Sequence, residues 1–296
     1  MHFDDLIGAT PLVALDRIPS AEGVAPGVRL LGKLEGNGPG GSVKDRPAWN
    51  MIRAALERGT VRPGDRLVEA TSGNTGIALA MAAGRLGLHM TLIVPARSTV
   101  ERIQAMRAYG AEVILTSDDE GIEDARDRAC AMAEAGTHHL LNQFANPDNP
   151  AIHYRTTGPE IWRDTDGRVT HFVSAMGTTG TIMGTSRYLK EQDPRIRIVG
   201  TQPAEGARIP GIRRWSPDMV PAIYEPERVD RIEEVGEAEA GAMTRRLARE
   251  EGILSGMSTG GALVAALRVA RELERGTVVF IVCDRGDRYL SSDLFG

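Results

Sequence analysis

A lysine stands where a glycine-rich turn meets a helical pattern, in Gly40-Gly41-Ser42-Val43-Lys44-Asp45-Arg46. The N-terminal end of a helix carries partial positive charge, so an ammonium group there is destabilised relative to the neutral amine. A neutral lysine is a nucleophile and condenses with aldehydes. The plain alternative is a solvated lysine on an exposed turn, and the rest of the chain must decide between the two.

Three turns between a strand pattern and a helix pattern are rich in glycine and hydroxyl residues. They are Asn37 to Lys44, Thr71-Ser72-Gly73-Asn74-Thr75-Gly76 and Gly177-Thr178-Thr179-Gly180-Thr181. Backbone N-H groups at a helix start, beside residues small enough to admit an anion, form a phosphate or carboxylate site. Two such sites around a nucleophilic lysine predict one ligand with a phosphate and another with a carboxylate. Pyridoxal phosphate is an aldehyde that carries a phosphate, which makes it the expected cofactor.

Rival motifs fail on their own requirements. Gly36-Asn37-Gly38-Pro39-Gly40-Gly41 fits the dinucleotide fingerprint, yet Glu57 falls inside a helical pattern, where the acidic residue should end a strand and reach a ribose. Gly27 to Lys33 resembles a P-loop, but Leu34 stands where a magnesium-binding hydroxyl belongs. Gly256-Met257-Ser258-Thr259-Gly260 has the spacing of a hydrolase nucleophile elbow, whose histidine must follow, and His171 is the last histidine. The six histidines form no ligand set. Cys130, in a helix among alanines, reads as a small core residue. Cys283, beside Asp284-Arg285, is open to either a packing or a functional role.

These residues need a frame, and the patterning supplies one. Strand-length apolar runs alternate with amphipathic helix-length runs: Arg29 to Leu34, then a helix from Val43 to Arg58; Arg66 to Ala70, then Asn74 to Leu86; Met90 to Val94, then Thr99 to Tyr109; Glu112 to Thr116, then Ile122 to Ala135. The second half continues with Phe172 to Ala175, a helix after Gly180, Ile196 to Gln202, helices at Ala238 to Glu251 and Gly261 to Glu274, and a strand at Val278 to Cys283. Such alternation predicts an α/β protein with doubly wound, mainly parallel sheets. Gln143 to Pro150 reads as a domain boundary and Pro203 to Glu227 as a functional loop.

At 296 residues the chain has room for two domains. Its net charge of -5 gives no electrostatic attraction to nucleic acid or anionic lipid. Two cysteines cannot build a disulfide framework, which fits a reducing compartment, and the N-terminus lacks the pattern of a signal peptide. No apolar stretch is long enough to span a bilayer. The expectation is a cytoplasmic enzyme.

Taken together, Gly41 to Arg46, Thr71 to Gly76, Gly177 to Thr181 and Gly256-Met257-Ser258-Thr259-Gly260-Gly261 occur in the order and approximate spacing of the fold-type II pyridoxal-phosphate enzymes. From Ile7-Gly8-Ala9-Thr10-Pro11-Leu12 onward the chain resembles the cysteine synthase branch. Ile209 to Trp215 and Cys283 to Ser291 are similar to the B-type O-acetylserine sulfhydrylases.

The resemblance implies two α/β domains of tryptophan synthase β-like architecture. A smaller one spans 36–146; a larger one, built from 1–35 and 147–296, holds the cofactor phosphate. It implies Lys44 as the Schiff-base lysine, Asn74 against the cofactor's phenolic oxygen, Gly177, Thr178, Thr179, Gly180 and Thr181 around its phosphate, and Ser258 facing its pyridine nitrogen. Thr71, Ser72, Thr75 and Gln143 would bind the substrate carboxylate, and Arg213 and Arg214 would admit an anionic sulfur donor. The implied reaction is β-replacement on O-acetyl-L-serine by sulfide or thiosulfate, giving L-cysteine or S-sulfocysteine, in a homodimer. A β-eliminase, or a synthase using O-phosphoserine, serine or threonine, is the alternative on the same scaffold.

Overall fold

The computed structural model describes residues 2–71, 73–117, 120, 122–217 and 219–296. The chain opens with β1 (Leu12–Ala14), α1 (Arg17–Ala21), β2 (Gly27–Leu34) and α2 (Asp45–Glu57). There follow β3 (Arg66–Ala70), α3 (Asn74–Arg85), β4 (His89–Val94), α4 (Val100–Ala108), β5 (Glu112–Leu115), α5 (Ile122–Glu134) and β6 (His139–Leu140). Two consecutive helices, α6 (Asp148–Arg155) and α7 (Thr157–Asp164), lead into β7 (His171–Ala175), α8 (Gly180–Gln192), β8 (Arg197–Pro203) and β9 (Arg231–Val235). The chain then runs through α9 (Glu237–Glu251), α10 (Met257–Arg271) and β10 (Arg275–Val282).

Two sheets result. The larger has strand order β1-β2-β10-β7-β8-β9 and the smaller β5-β4-β3-β6. All pairings are parallel except β1 with β2. The continuous run Thr277 to Val282 is buried because β10 lies inside the larger sheet with helices on both faces. Helix α10, small-residue-rich and buried almost all round, packs on one face beside β10, and α3, rich in alanine, is its counterpart in the core that also holds Leu67 and Leu92.

Several features depart from the sequence reading, among them β1 and α1, which precede its first strand. Strand β9 is a charged edge strand, Arg231-Ile232-Glu233-Glu234-Val235, whose polar composition hides its pairing with β8. Helices α6 and α7 begin within or soon after a Pro- and Asn-rich stretch that reads as loop; Pro150 falls in the first turn of α6, where its missing N-H costs nothing. Cys130 is exposed, not a core residue: α5 buries Ala125 and Ala129, and the next position turns away. The loop after β8 is as expected, with Ile209 and Ile212 anchoring it in a small core beside Val264.

Candidate active site

The chemistry-bearing loops leave the carboxyl ends of four strands. The turn after β2 leads to Lys44, that after β3 to Thr71 and Asn74, that after β7 to Gly177–Thr181, and Cys283 and Asp284 follow β10 directly. In open parallel sheets this is where ligands bind. Lys44, Asn74, Gly177, Thr178, Thr179, Thr181 and Ser258 line one inner cavity together with Cys283. It adjoins a cleft of about 770 Å³ whose walls include Lys44, Thr71, Thr75, Gln143, Arg213 and Arg214. Ser72 lies outside the described residues.

Lys44 is the N-cap of α2, one position before the helix proper. Its amine is lowered from the ordinary lysine value chiefly by burial, against the opposing pull of Cys283 and Asp284. Desolvation is therefore a cause of the lysine's lowered basicity that comes in addition to its place at a helix start. The glycine turn before it is held by Asp45, whose Oδ2 accepts the Gly40 and Gly41 N-H groups at 2.9 and 3.1 Å. A Cβ at Gly40 would fall 2.3 Å from Asp45 Oδ1, and Gly41 has a φ of +76°. Glycines at these two positions are thus packing and conformational necessities.

Gly177–Thr181 forms the start of α8. Thr179 adopts a φ of +72°, unusual for a β-branched residue, and its buried Oγ1 has no hydrogen-bond partner among the described residues. A Cβ at Gly177 would lie 2.8 Å from the Gly211 carbonyl oxygen, and one at Gly180 2.0 Å from Asn149 Oδ1. The Gly180 N-H reaches Thr178 Oγ1 at 3.4 Å, and the first N-H groups of α8 have no acceptor within the helix itself. An orphaned hydroxyl, a strained backbone and helix-start amides without acceptors in the helix fit a phosphate.

Asn74 is gripped from two sides. Arg288 Nη1 donates to its Oδ1 at 2.9 Å, and its Nδ2 donates to Asp284 Oδ2 at 2.7 Å, leaving one amide N-H for a ligand oxygen. Asp284 also accepts from the Gly256 N-H at 3.0 Å and from the Tyr289 hydroxyl, which ties Asn74 to the start of α10 and so to Ser258. Cys283 lies between Lys44 and Ser258, its thiol pushed up to about 11 by burial and then by Asp284, so it stays protonated near neutral pH.

On the cleft side, Thr75 Oγ1 donates to Gln143 Oε1 at 2.9 Å, and Gly73 N-H reaches Thr71 Oγ1 at 3.2 Å. Arg213 and Arg214 differ. The Arg213 guanidinium lies 5.5 Å over the Trp215 ring, itself edge-on to Phe144, whereas Arg214 donates to Glu234 at 2.6 Å.

Sequence reasoning missed a buried ionic knot behind Lys44. Arg46, 1% exposed, donates to both oxygens of Glu35 and both oxygens of Glu160, and Lys33 donates to the Thr10 carbonyl and pairs with Glu160 at 2.9 Å. Although burial works against it, the Arg46 and Lys33 charges hold Glu160 down at about 2. The only signal was Arg46 itself, a charge in the helical pattern two positions after the lysine. No spacing rule links Asp284 and Arg288 to Asn74, 210 and 214 residues away.

The family described as pyridoxal-phosphate dependent enzyme matches residues 3–284 of this chain. The chain is 60% identical over 291 residues to cysteine synthase B of Pseudomonas aeruginosa, covering 98% of this chain and 96% of that protein. It is 54% identical over 293 residues to cysteine synthase B of Escherichia coli, covering 99% and 95%. Among solved structures it is similar to cysteine synthase (OASS) of Entamoeba histolytica, with a TM-score of 0.93, 40% identity and coverage of 99% of this chain and 90% of that one.

Proposed function

Because the chain belongs to the pyridoxal-phosphate dependent enzymes, and among them to the cysteine synthases, we propose that it forms L-cysteine from O-acetyl-L-serine and sulfide, with thiosulfate as a second sulfur donor giving S-sulfocysteine. The observation that carries this reading is the meeting, in one cavity, of a desolvated lysine amine and an anion cradle, with a hydroxyl- and amide-lined cleft beside them.

Lys44 would hold pyridoxal phosphate through its amine, Thr178, Thr179 and Thr181 with the Gly177 and Gly180 backbone would hold the phosphate, Asn74 the phenolic oxygen and Ser258 the pyridine nitrogen. When bound, the cofactor supplies an aldehyde for the substrate amine and a conjugated ring that accepts electrons from Cα. Thr71, Ser72, Thr75 and Gln143 bind the substrate carboxylate and so fix the direction of the Cα-H bond. Lys44, its amine lowered from the ordinary lysine value by burial, takes the Cα proton and later returns it. In the net exchange the Cβ-O bond breaks, acetate departs and a Cβ-S bond forms. Arg213 and Arg214 at the cleft mouth attract the anionic sulfur donor.

The smaller unit of the fold, 36–146, contains the four-stranded sheet, and the larger, 1–35 with 147–296, the six-stranded one. Family membership supports a homodimer, and the net charge of -5 supports small-molecule partners over nucleic acid. Two unpaired cysteines support a cytoplasmic location, and among the described residues no helix is long and apolar enough to cross a membrane.

The test is turnover of O-acetylserine with sulfide and with thiosulfate, against O-phosphoserine and threonine, while the visible spectrum is followed in wild type and Lys44→Ala. Cysteine formation by a yellow wild type and loss of both colour and turnover in the variant are expected. A protein that stays colourless with pyridoxal phosphate, or borohydride trapping at another side chain, would refute the assignment.

A further inference from the structure

Helix α6 faces the anion cradle from behind with two polar residues one turn apart. Asn149 is 2% exposed and His153 is fully buried. Asn149 Nδ2 donates to the Gln143 carbonyl at 2.8 Å and to Thr178 Oγ1 at 3.2 Å. His153 Nε2 lies 3.3 Å from Thr181 Oγ1, and its Nδ1 lies 2.9 Å from the buried Thr157 Oγ1. The two helices touch closely, since a Cβ at Gly184 of α8 would come within 2.8 Å of His153 Cβ. His153 therefore has one position and two partners, both hydroxyls.

A ring between two hydroxyls can run its hydrogen bonds in either direction. Burial, followed by the positive charges of Arg46 and Lys44 and opposed by Glu160, holds His153 well below the ordinary histidine range, so the ring is neutral and carries one N-H. If that N-H is on Nε2, it donates to Thr181 Oγ1, and the Thr181 hydroxyl hydrogen is left to point into the cavity. With the N-H on Nδ1, Nε2 becomes an acceptor, captures the Thr181 hydrogen and turns an oxygen lone pair toward the cavity. An anion in the cradle favours the first arrangement and is repelled by the second. Asn149 works in the same sense at Thr178, with its amide nitrogen identified by the Gln143 carbonyl it also donates to.

We propose that His153 is a positioning residue of the cradle: Thr157 donates to Nδ1, Nε2-H donates to Thr181, and this relay aims the Thr181 hydroxyl hydrogen at the phosphate. The inference rests on the reading of Gly177–Thr181 as the phosphate site. It gives a role to a buried histidine that no metal or catalytic motif uses.

The experiment separates the two claims by titrating apo wild type and variants with pyridoxal phosphate and with pyridoxal, which has the aldehyde and ring without the phosphate. Visible absorbance and tryptophan fluorescence report binding. Wild type should prefer the phosphorylated ligand strongly; equal affinity for both would overturn the phosphate reading itself and the relay with it. His153→Phe should lose about tenfold in affinity for pyridoxal phosphate with pyridoxal unchanged. Should that variant fold poorly, two milder ones decide. His153→Gln, whose amide reaches where Nε2 stood, should keep most of the preference, whereas His153→Asn, whose amide reaches only as far as Nδ1, should lose it. A preference left intact in Phe and Asn variants, or weakened equally for both ligands, would reduce His153 to packing.

Discussion

The ionic knot behind Lys44 makes Arg46→Met a sharp perturbation. Met approximates the arginine stem and removes five hydrogen bonds, including one to Thr10 Oγ1 at 3.1 Å, along with the one positive charge shared by Glu35 and Glu160. Stripping one partner from a buried ion pair costs about 3–5 kcal/mol because the remaining charge is left without compensation. Glu160 gives a second route to the same size: its fall from 4.5 to about 2 corresponds to roughly 3 kcal/mol of stabilisation by its cationic partners. In wild type that contribution is complete above the unfolded value of 4.5 and is lost as pH falls toward 2. With Arg46 gone, burial is offset at Glu160 by Lys33 alone and raises its carboxyl above the wild-type value, so the folded variant takes up a proton at higher pH than wild type does and its deficit shrinks as pH falls. Urea unfolding of cofactor-saturated protein, followed by tryptophan fluorescence, should show a loss of about 3 kcal/mol at pH 8 and a clearly smaller loss at pH 5.5. A deficit below about 1 kcal/mol, or one that is the same at both pH values, would refute the claim that charge compensation rather than packing holds this region.

Three further outcomes are expected. Ser258→Asp places a carboxylate in the first turn of α10, where the helix dipole keeps it ionised, and would favour the protonated form of the cofactor's ring nitrogen; the ratio of β-replacement to side reactions should fall, and an unchanged ratio counts against a neutral hydroxyl as the controlling feature. Arg213→Glu should depress thiosulfate use more than sulfide use, and more than Arg214→Glu does, because Arg214 is already engaged by Glu234; equal losses with both donors would leave the two arginines as ordinary surface cations. Asp45→Asn should gain stability relative to wild type as pH rises from about 4 to about 7 and then level off. Burial raises the Asp45 carboxyl from 3.8 to about 7, so its stabilisation is whole at low pH and is lost through that interval; a flat difference across it would contradict the assignment.

The strands and helices of the two sheets were legible because their patterns are local. Val278 to Val282 and Ile77 to Ala83 are apolar in ways that only buried elements tolerate, and the structure buries both. The turns at Thr71 and Gly177 were legible for the same reason, since glycine and hydroxyl residues at a helix start are a short-range signal. What escaped depends on distance in the chain. Glu35, Arg46 and Glu160 meet only after β2, α2 and α7 have packed, and Asp284 reaches Asn74 from the far end of the chain. The sequence also left out a cause: it pointed to the helix dipole at Lys44, and burial, a property of the assembled sheets that no single window of residues contains, lowers the amine as well.

The three glycine turns look alike as sequence and differ in one physical respect, which is whether a carboxyl group of the chain already accepts their N-H groups. In the turn before α2 it has: Asp45 curls back and takes the Gly40 and Gly41 N-H groups, so the donors that would cradle a ligand are used to shape the approach to Lys44. At the start of α8 no carboxylate does this. Thr179 keeps a buried hydroxyl without a partner and a strained backbone, and the side chains behind it, Asn149 and His153, reach the neighbouring hydroxyls at their oxygen atoms. In the turn after β3, among the described residues Thr71 takes the Gly73 N-H, at 3.2 Å, and a Cβ at Gly73 would meet nothing within 4 Å. A glycine-rich helix start is therefore a site for a foreign anion only where no carboxyl group of the chain has taken its donors. That criterion sorts the three turns into one that builds the lysine's approach and two that face the cavities, and it makes Asp45 the residue that separates motif from site.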